Sequence, residues 1–121
     1  MKKGLVIEDN EDNMMLITRL LKKAGYETAW APTGGEGLEM ALSQKPDFIL
    51  LDIQLPDIDG TEVLRQLRET EKGKDIPVIV VTSYAMAGDR EKFLAAGSNA
   101  YLEKPIDPVR VIEQIRSVVG E

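Results

Sequence analysis

The 121-residue chain contains neither cysteine nor histidine. Without cysteine there is no disulfide framework, no thiolate nucleophile and no thiolate zinc site. Without histidine the commonest general base and the commonest metal ligand are gone, and no Ser-His-Asp or Cys-His mechanism can be assembled. A bound metal must then be a hard cation held by oxygen, such as magnesium, manganese or calcium. Basic charge is short as well: 15 Lys and Arg face 21 Asp and Glu, for a net charge of −6. Nucleic acid and anionic membranes are gripped through clustered Lys and Arg, so neither is expected as a direct partner. Long apolar runs are missing too. Leu5-Val6-Ile7 stops at Glu8, too short for a signal-peptide core, and no run approaches the length of a membrane span. A cytoplasmic location is expected.

The residues present suit a folded domain. Apolar residues make up 43% and charged residues 30%, ordinary for a globular protein, and the length predicts one domain over residues 1–121. Five short apolar runs alternate with five helical patterns. The strand candidates are Leu5-Val6-Ile7, Glu27-Thr28-Ala29-Trp30, Phe48-Ile49-Leu50-Leu51, Val78-Ile79-Val80-Val81 and Ala100-Tyr101-Leu102. The first, third and fourth are continuously apolar, as strands covered on both faces are; the second alternates with polar residues and suits an edge. Helical spacing joins Met14, Ile17, Leu21 and Ala24; Leu38, Ala41 and Leu42; Val63, Leu64 and Leu67; Phe93 and Leu94; and Val111, Ile112, Ile115, Val118 and Val119. Asn10, the capping box Thr33-Gly34-Gly35-Glu36 and Asp107-Pro108 mark helix starts, and Gly25 and Gly97 mark helix ends. Strict βα alternation predicts an α/β fold, a doubly wound five-stranded parallel sheet of flavodoxin-like order 2-1-3-4-5.

In such a sheet ligands bind beyond the carboxyl ends of the strands, where the order reverses. The first strand ends in Glu8-Asp9 and the third in Asp52, so the fold gathers three carboxylates there. Like charges this close need a compensating cation, and Lys104 follows the fifth strand. Thr82-Ser83 ends the fourth. A magnesium or manganese ion suits three acids on such a rim. Asp52 is then positioned as a nucleophile toward phosphorus, with Lys104 and Thr82 placed to offset charge on the transferring group. A helix-capping role explains Asp9 or Asn10 singly, but not acids and a lysine converging from three strand ends.

Val6-Ile7-Glu8-Asp9-Asn10, Leu50-Leu51-Asp52-Ile53-Gln54-Leu55-Pro56, Asp59-Gly60, Val80-Val81-Thr82-Ser83 and Tyr101-Leu102-Glu103-Lys104-Pro105 together resemble the response-regulator receiver domain across essentially the whole chain. The stretch Ala85-Met86-Ala87-Gly88-Asp89-Arg90 is similar to stand-alone receivers of the DivK type and to receivers of hybrid histidine kinases. The resemblance implies that Asp52 accepts a phosphoryl group from a phosphohistidine on a histidine kinase or histidine phosphotransfer protein. It implies magnesium ligands in Asp9, Asp52 and the Gln54 backbone carbonyl, with Glu8 acting through water, and phosphoryl contacts from Thr82 and Lys104. It implies a cis Lys104-Pro105 bond. Thr82 and Tyr101 are the implied switch: Tyr101 starts solvent-facing, turns inward, and alters the helix 4–strand 5–helix 5 face for a downstream protein partner. Gln54 and Tyr84 flank the site where receivers differ. A signalling phosphoacceptor without an output domain, rather than an enzyme on other substrates, is the expectation.

Three alternatives share parts of this pattern. A flavodoxin-like electron carrier needs a phosphate-cradling loop after the first strand, where this chain has Glu8-Asp9-Asn10-Glu11-Asp12. Aspartyl-phosphate hydrolases resemble one another in a second Asp two residues beyond the nucleophile, where this chain has Gln54. A purely structural pseudo-receiver would not need the full set of site residues. Elsewhere, Gly34-Gly35-Glu36-Gly37 reads as a flexible helix entry rather than a dinucleotide loop, Trp30 as edge packing, Met14 and Met15 as core and surface filler, and residues 55–60 as a connection beside the site.

Overall fold

The protein is described by a computed structural model covering residues 2–83 and 87–121. Tyr84, Ala85 and Met86, singled out above, lie outside the described residues. The elements run β1 (Lys3–Ile7), α1 (Glu11–Lys23), β2 (Glu27–Ala31), α2 (Gly34–Gln44), β3 (Phe48–Asp52), α3 (Gly60–Arg68), β4 (Val78–Thr82), α4 (Asp89–Ala95), β5 (Ala100–Glu103) and α5 (Pro108–Val119). All neighbouring strands are parallel, in the order β2-β1-β3-β4-β5. The predicted flavodoxin-like order is thus the observed one, with β2 on an edge.

Alternation along the strands divides the core into two layers. Leu5, Ile7, Ile49, Leu51, Val78 and Val80 pack with Ala41 of α2, Val63, Leu64 and Leu67 of α3 and Phe93 of α4. Val6, Leu50 and Ile79 pack with Ile17 and Leu21 of α1 and Val111 and Ile115 of α5. β3 and β4 are buried along their whole length, which is why their sequences are unbroken apolar runs. Each fully buried aliphatic side chain contributes about 1.5–3 kcal/mol.

The helix starts follow the predicted caps. Asn10 accepts from the Asn13 amide at 2.9 Å, Thr33 from Glu36 at 3.2 Å, and Asp107 from Val109 at 2.9 Å and Arg110 at 3.3 Å. Gly25 and Gly97 have φ of 94° and 110°, a region that favours glycine. The Gly34–Gly37 stretch differs from expectation. It is the closely packed first turn of α2, not a flexible entry. A Cβ on Gly37 would lie 2.5 Å from Ile7 Cδ1, and one on Gly34 would lie 2.6 Å from Ile58 Cγ1. Small residues there let α2 approach β1 and α3.

Candidate functional site

Register places the strand ends on one rim. Ile7 pairs with both Ala31 and Leu51, Asp52 with Val81, and Thr82 with Glu103. The next residues along β1 and β5 are Glu8 and Lys104, so both side chains enter the crevice beside Asp52. Glu8 is 2% and Asp52 4% exposed, while Asp9 is exposed. Lys104 Nζ donates to Glu8 Oε1 at 2.8 Å and to Asp52 Oδ2 at 3.2 Å. One oxygen from each of Glu8, Asp9 and Asp52 lies within 4.8 Å of the others.

This electrostatic arrangement is strained in one direction. Burial, with the hydrogen bond and charge of Asp52, pushes the Glu8 carboxyl up to about 7, and Lys104 only partly opposes them. Burial also works against the Lys104 charge, but Glu8 and Asp52 outweigh it and hold its pKa above the ordinary value. Two buried carboxylates thus share one ammonium, with the exposed Asp9 beside them. Their oxygens form a hard donor set of the kind that takes magnesium, so the residues present fit a divalent cation.

The backbone around the site is restrained from four sides. The Glu8 amide donates to Ala31 O at 3.1 Å, and the Trp30 indole Nε1 donates to Glu8 O at 2.7 Å. The Gln54 amide donates to Asp52 Oδ1 at 3.1 Å, turning the chain tightly after the strand. Gly60, at the start of α3, donates to Ile53 O at 2.8 Å. The Lys104 amide donates to Thr82 O at 2.8 Å, and the Lys104-Pro105 bond is cis as expected.

Two participants were not foreseen from sequence. Trp30 contributes a hydrogen bond, not only edge packing. The Asp57 carboxylate accepts from the Gly34 and Gly35 amides at 2.8 Å each, tying the loop after Asp52 to the start of α2; these bonds hold its pKa below the ordinary value. The uncapped amides of a glycine pair at a helix start were the only sequence signal for it.

Thr82 is buried at the end of β4. Tyr101 stands apart from the acids and differs from expectation: its ring is not solvent-facing but 9% exposed, stacked on Phe93 of α4 with centroids 5.7 Å apart. α4 lies over β5, and this apolar contact draws the ring inward. Beside it a groove of about 630 Å³ is lined by Gly88, Arg90, Tyr101, Glu103, Lys104 and Arg110, among others.

Comparison with known proteins agrees with this geometry. The sequence profile described as response regulator receiver domain matches residues 5–116. The polar-differentiation response regulator DivK of Brucella ovis is 45% identical over 120 residues, covering 99% of this chain and 98% of the relative. The receiver domain of a sensor histidine kinase from Pseudomonas aeruginosa PAO1, solved with a magnesium ion coordinated in its active site cleft, superposes with a TM-score of 0.91 at 34% identity, covering 99% of this chain and 98% of that one. A CheY-like receiver domain protein from Methanospirillum hungatei JF-1 gives a TM-score of 0.91 at 32% identity, covering 99% and 94%. The acidic crevice, the lysine above it and the strand order thus have one common explanation: the chain belongs to the response-regulator receiver domain family, whose members are signalling phosphoacceptors.

Proposed function

We propose that residues 1–121 act as one receiver unit in which Asp52 is the phosphoacceptor. The observation that carries this reading is the Lys104 ammonium bridging Glu8 and Asp52 on the rim where Asp9 also stands. An Asp52 carboxylate oxygen forms a P–O bond while the P–N bond of a phosphohistidine breaks; the electron pair leaves with the imidazole nitrogen, which takes up a proton. Asp9, Asp52 and the Gln54 carbonyl hold the cation, magnesium or manganese, with Glu8 acting through water. When bound, the cation supplies neutralisation of charge on the phosphoryl oxygens. Lys104 turns from Asp52 toward those oxygens, and the Thr82 hydroxyl donates to them.

The donor is a histidine kinase or a histidine phosphotransfer protein. A small apolar recess lined by Asn13, Leu16, Ile17, Pro105 and Ile106 opens next to Lys104 and supports docking of such a donor on α1. The groove beside Tyr101 supports a downstream protein partner on α4, β5 and α5, with Thr82 and Tyr101 as the switch. Because the Tyr101 ring is already inward, the switch on this face acts on its packing against Phe93 rather than on a first burial. No described helix is long and apolar enough to cross a membrane, and we place the protein in the cytoplasm, acting on no substrate beyond its own phosphorylation and dephosphorylation.

Intact-protein mass spectrometry after incubation with acetyl phosphate and magnesium tests the assignment. One phosphoryl increment is expected in the wild type, and none in Asp52→Asn or in excess chelator. An increment surviving in Asp52→Asn moves the acceptor elsewhere.

A further inference from the structure

We propose that Trp30 is a positioning residue for the cation site: its indole N–H fixes the Glu8–Asp9 peptide in the orientation from which Asp9 serves as a ligand. The inference rests on the reading of Glu8, Asp9 and Asp52 as the cation site.

The ladder between β1 and β2 ends at the Ile7–Ala31 pair. One residue further, the Glu8 amide still donates to Ala31 O at 3.1 Å. In a parallel ladder the N–H and C=O of one residue point to the same neighbour, so the Glu8 carbonyl also faces the β2 side. The chain there offers it little. The next donor in that pattern would be the Thr33 N–H, but β2 ends at Ala31 and Thr33 is already the N-cap of α2. The carbonyl accepts instead from Trp30 Nε1 at 2.7 Å. That carbonyl belongs to the peptide joining Glu8 to Asp9. Glu8 is thereby held at its amide and carbonyl by β2 and at its carboxylate by Lys104. Asp9 is exposed, so its placement depends on the backbone leading into it. The ring, 36% exposed, does more than pack, because its polar N–H is spent on the Glu8 carbonyl rather than on solvent.

The test replaces Trp30 with β-(3-benzothienyl)alanine, which keeps the fused ring but carries sulfur in place of N–H, and separately uses Trp30→Phe. Magnesium affinity of the full chain is measured by calorimetry. Loss of one neutral hydrogen bond predicts about three- to tenfold weaker binding in both variants. Trp30 is the single tryptophan, so wild-type indole emission is expected to change on magnesium addition with the calorimetric midpoint. A purely structural role lowers thermal stability and leaves the affinity in place. Unchanged affinity in the benzothienyl variant, alongside normal wild-type binding, overturns the inference and leaves the cation site standing. A wild type that takes up no magnesium overturns the cation site, and this inference with it.

Discussion

Lys104 reaches Glu8 across 96 positions of chain, with its ammonium 2.8 Å from the carboxylate, yet it does not win control of the Glu8 charge. Burial and Asp52 together lift that carboxyl from 4.5 to about 7. The folded state therefore binds a proton that the unfolded state has already released. The resulting stability is fully present below about 4.5 and is lost as pH rises through about 7. In chelator, the urea midpoint of the wild type is expected to fall between about pH 5 and about pH 8 more steeply than that of Glu8→Gln. Parallel slopes for the two proteins would rule this out.

The same proton opposes the cation. A carboxylate must be deprotonated to take part in a metal site, so magnesium affinity is expected to increase as pH rises through about 7. Calorimetry in buffers of different ionisation enthalpy reads the released proton directly. Removing magnesium at neutral pH is correspondingly expected to lower the melting temperature by mass action.

Lys104→Met deletes the only cation that the carboxylates of Glu8 and Asp52 share among the described residues. Preorganised positive charge at a phosphoryl group is typically worth about a hundredfold or more in rate. Phosphorylation by acetyl phosphate is expected to slow by that order, while magnesium still binds. Rapid phosphorylation in this variant would remove Lys104 from the reaction.

Gly60 sits where a side chain has no room. An added Cβ would lie 2.5 Å from Asp52 O and 2.7 Å from Ile53 Cα, both backbone atoms that cannot swing aside. Gly60→Ala is expected to lose about 1–3 kcal/mol of stability, typical of overpacking, and to weaken magnesium binding because the displaced backbone carries Asp52. Denaturant titration and calorimetry on the same variant separate the two effects.

The Tyr101 hydroxyl is buried and makes no hydrogen bond among the described residues. Leaving such a group unsatisfied costs about 1–3 kcal/mol. Tyr101→Phe, which keeps the stack on Phe93, is expected to be at least as stable as the wild type, whereas Phe93→Ala loses about 3–5 kcal/mol. A clearly destabilised Tyr101→Phe would mean that the hydroxyl has a partner.

Local sequence determined the elements and their order. Short apolar runs with no polar break fit strands covered on both faces, and Asn10, Thr33 and Asp107, each just before a helical pattern, fit helix starts, because each rule depends on neighbours a few positions away. The identities at the rim, Glu8, Asp9, Asp52, Thr82 and Lys104, were legible for the same reason: strand ends are local, and the order 2-1-3-4-5 follows from alternation and handedness. What lay beyond the sequence was decided by contacts between segments distant in the chain. Asp57 reads as a loop residue until the Gly34 and Gly35 amides are brought to it. Trp30 reads as edge filler until the ladder runs out at Ala31 and leaves the Glu8 carbonyl facing it. Tyr101 reads as an exposed strand aromatic until α4 lays Phe93 over it. In each case the partner is supplied by packing between elements, a many-body outcome that no spacing along the chain encodes.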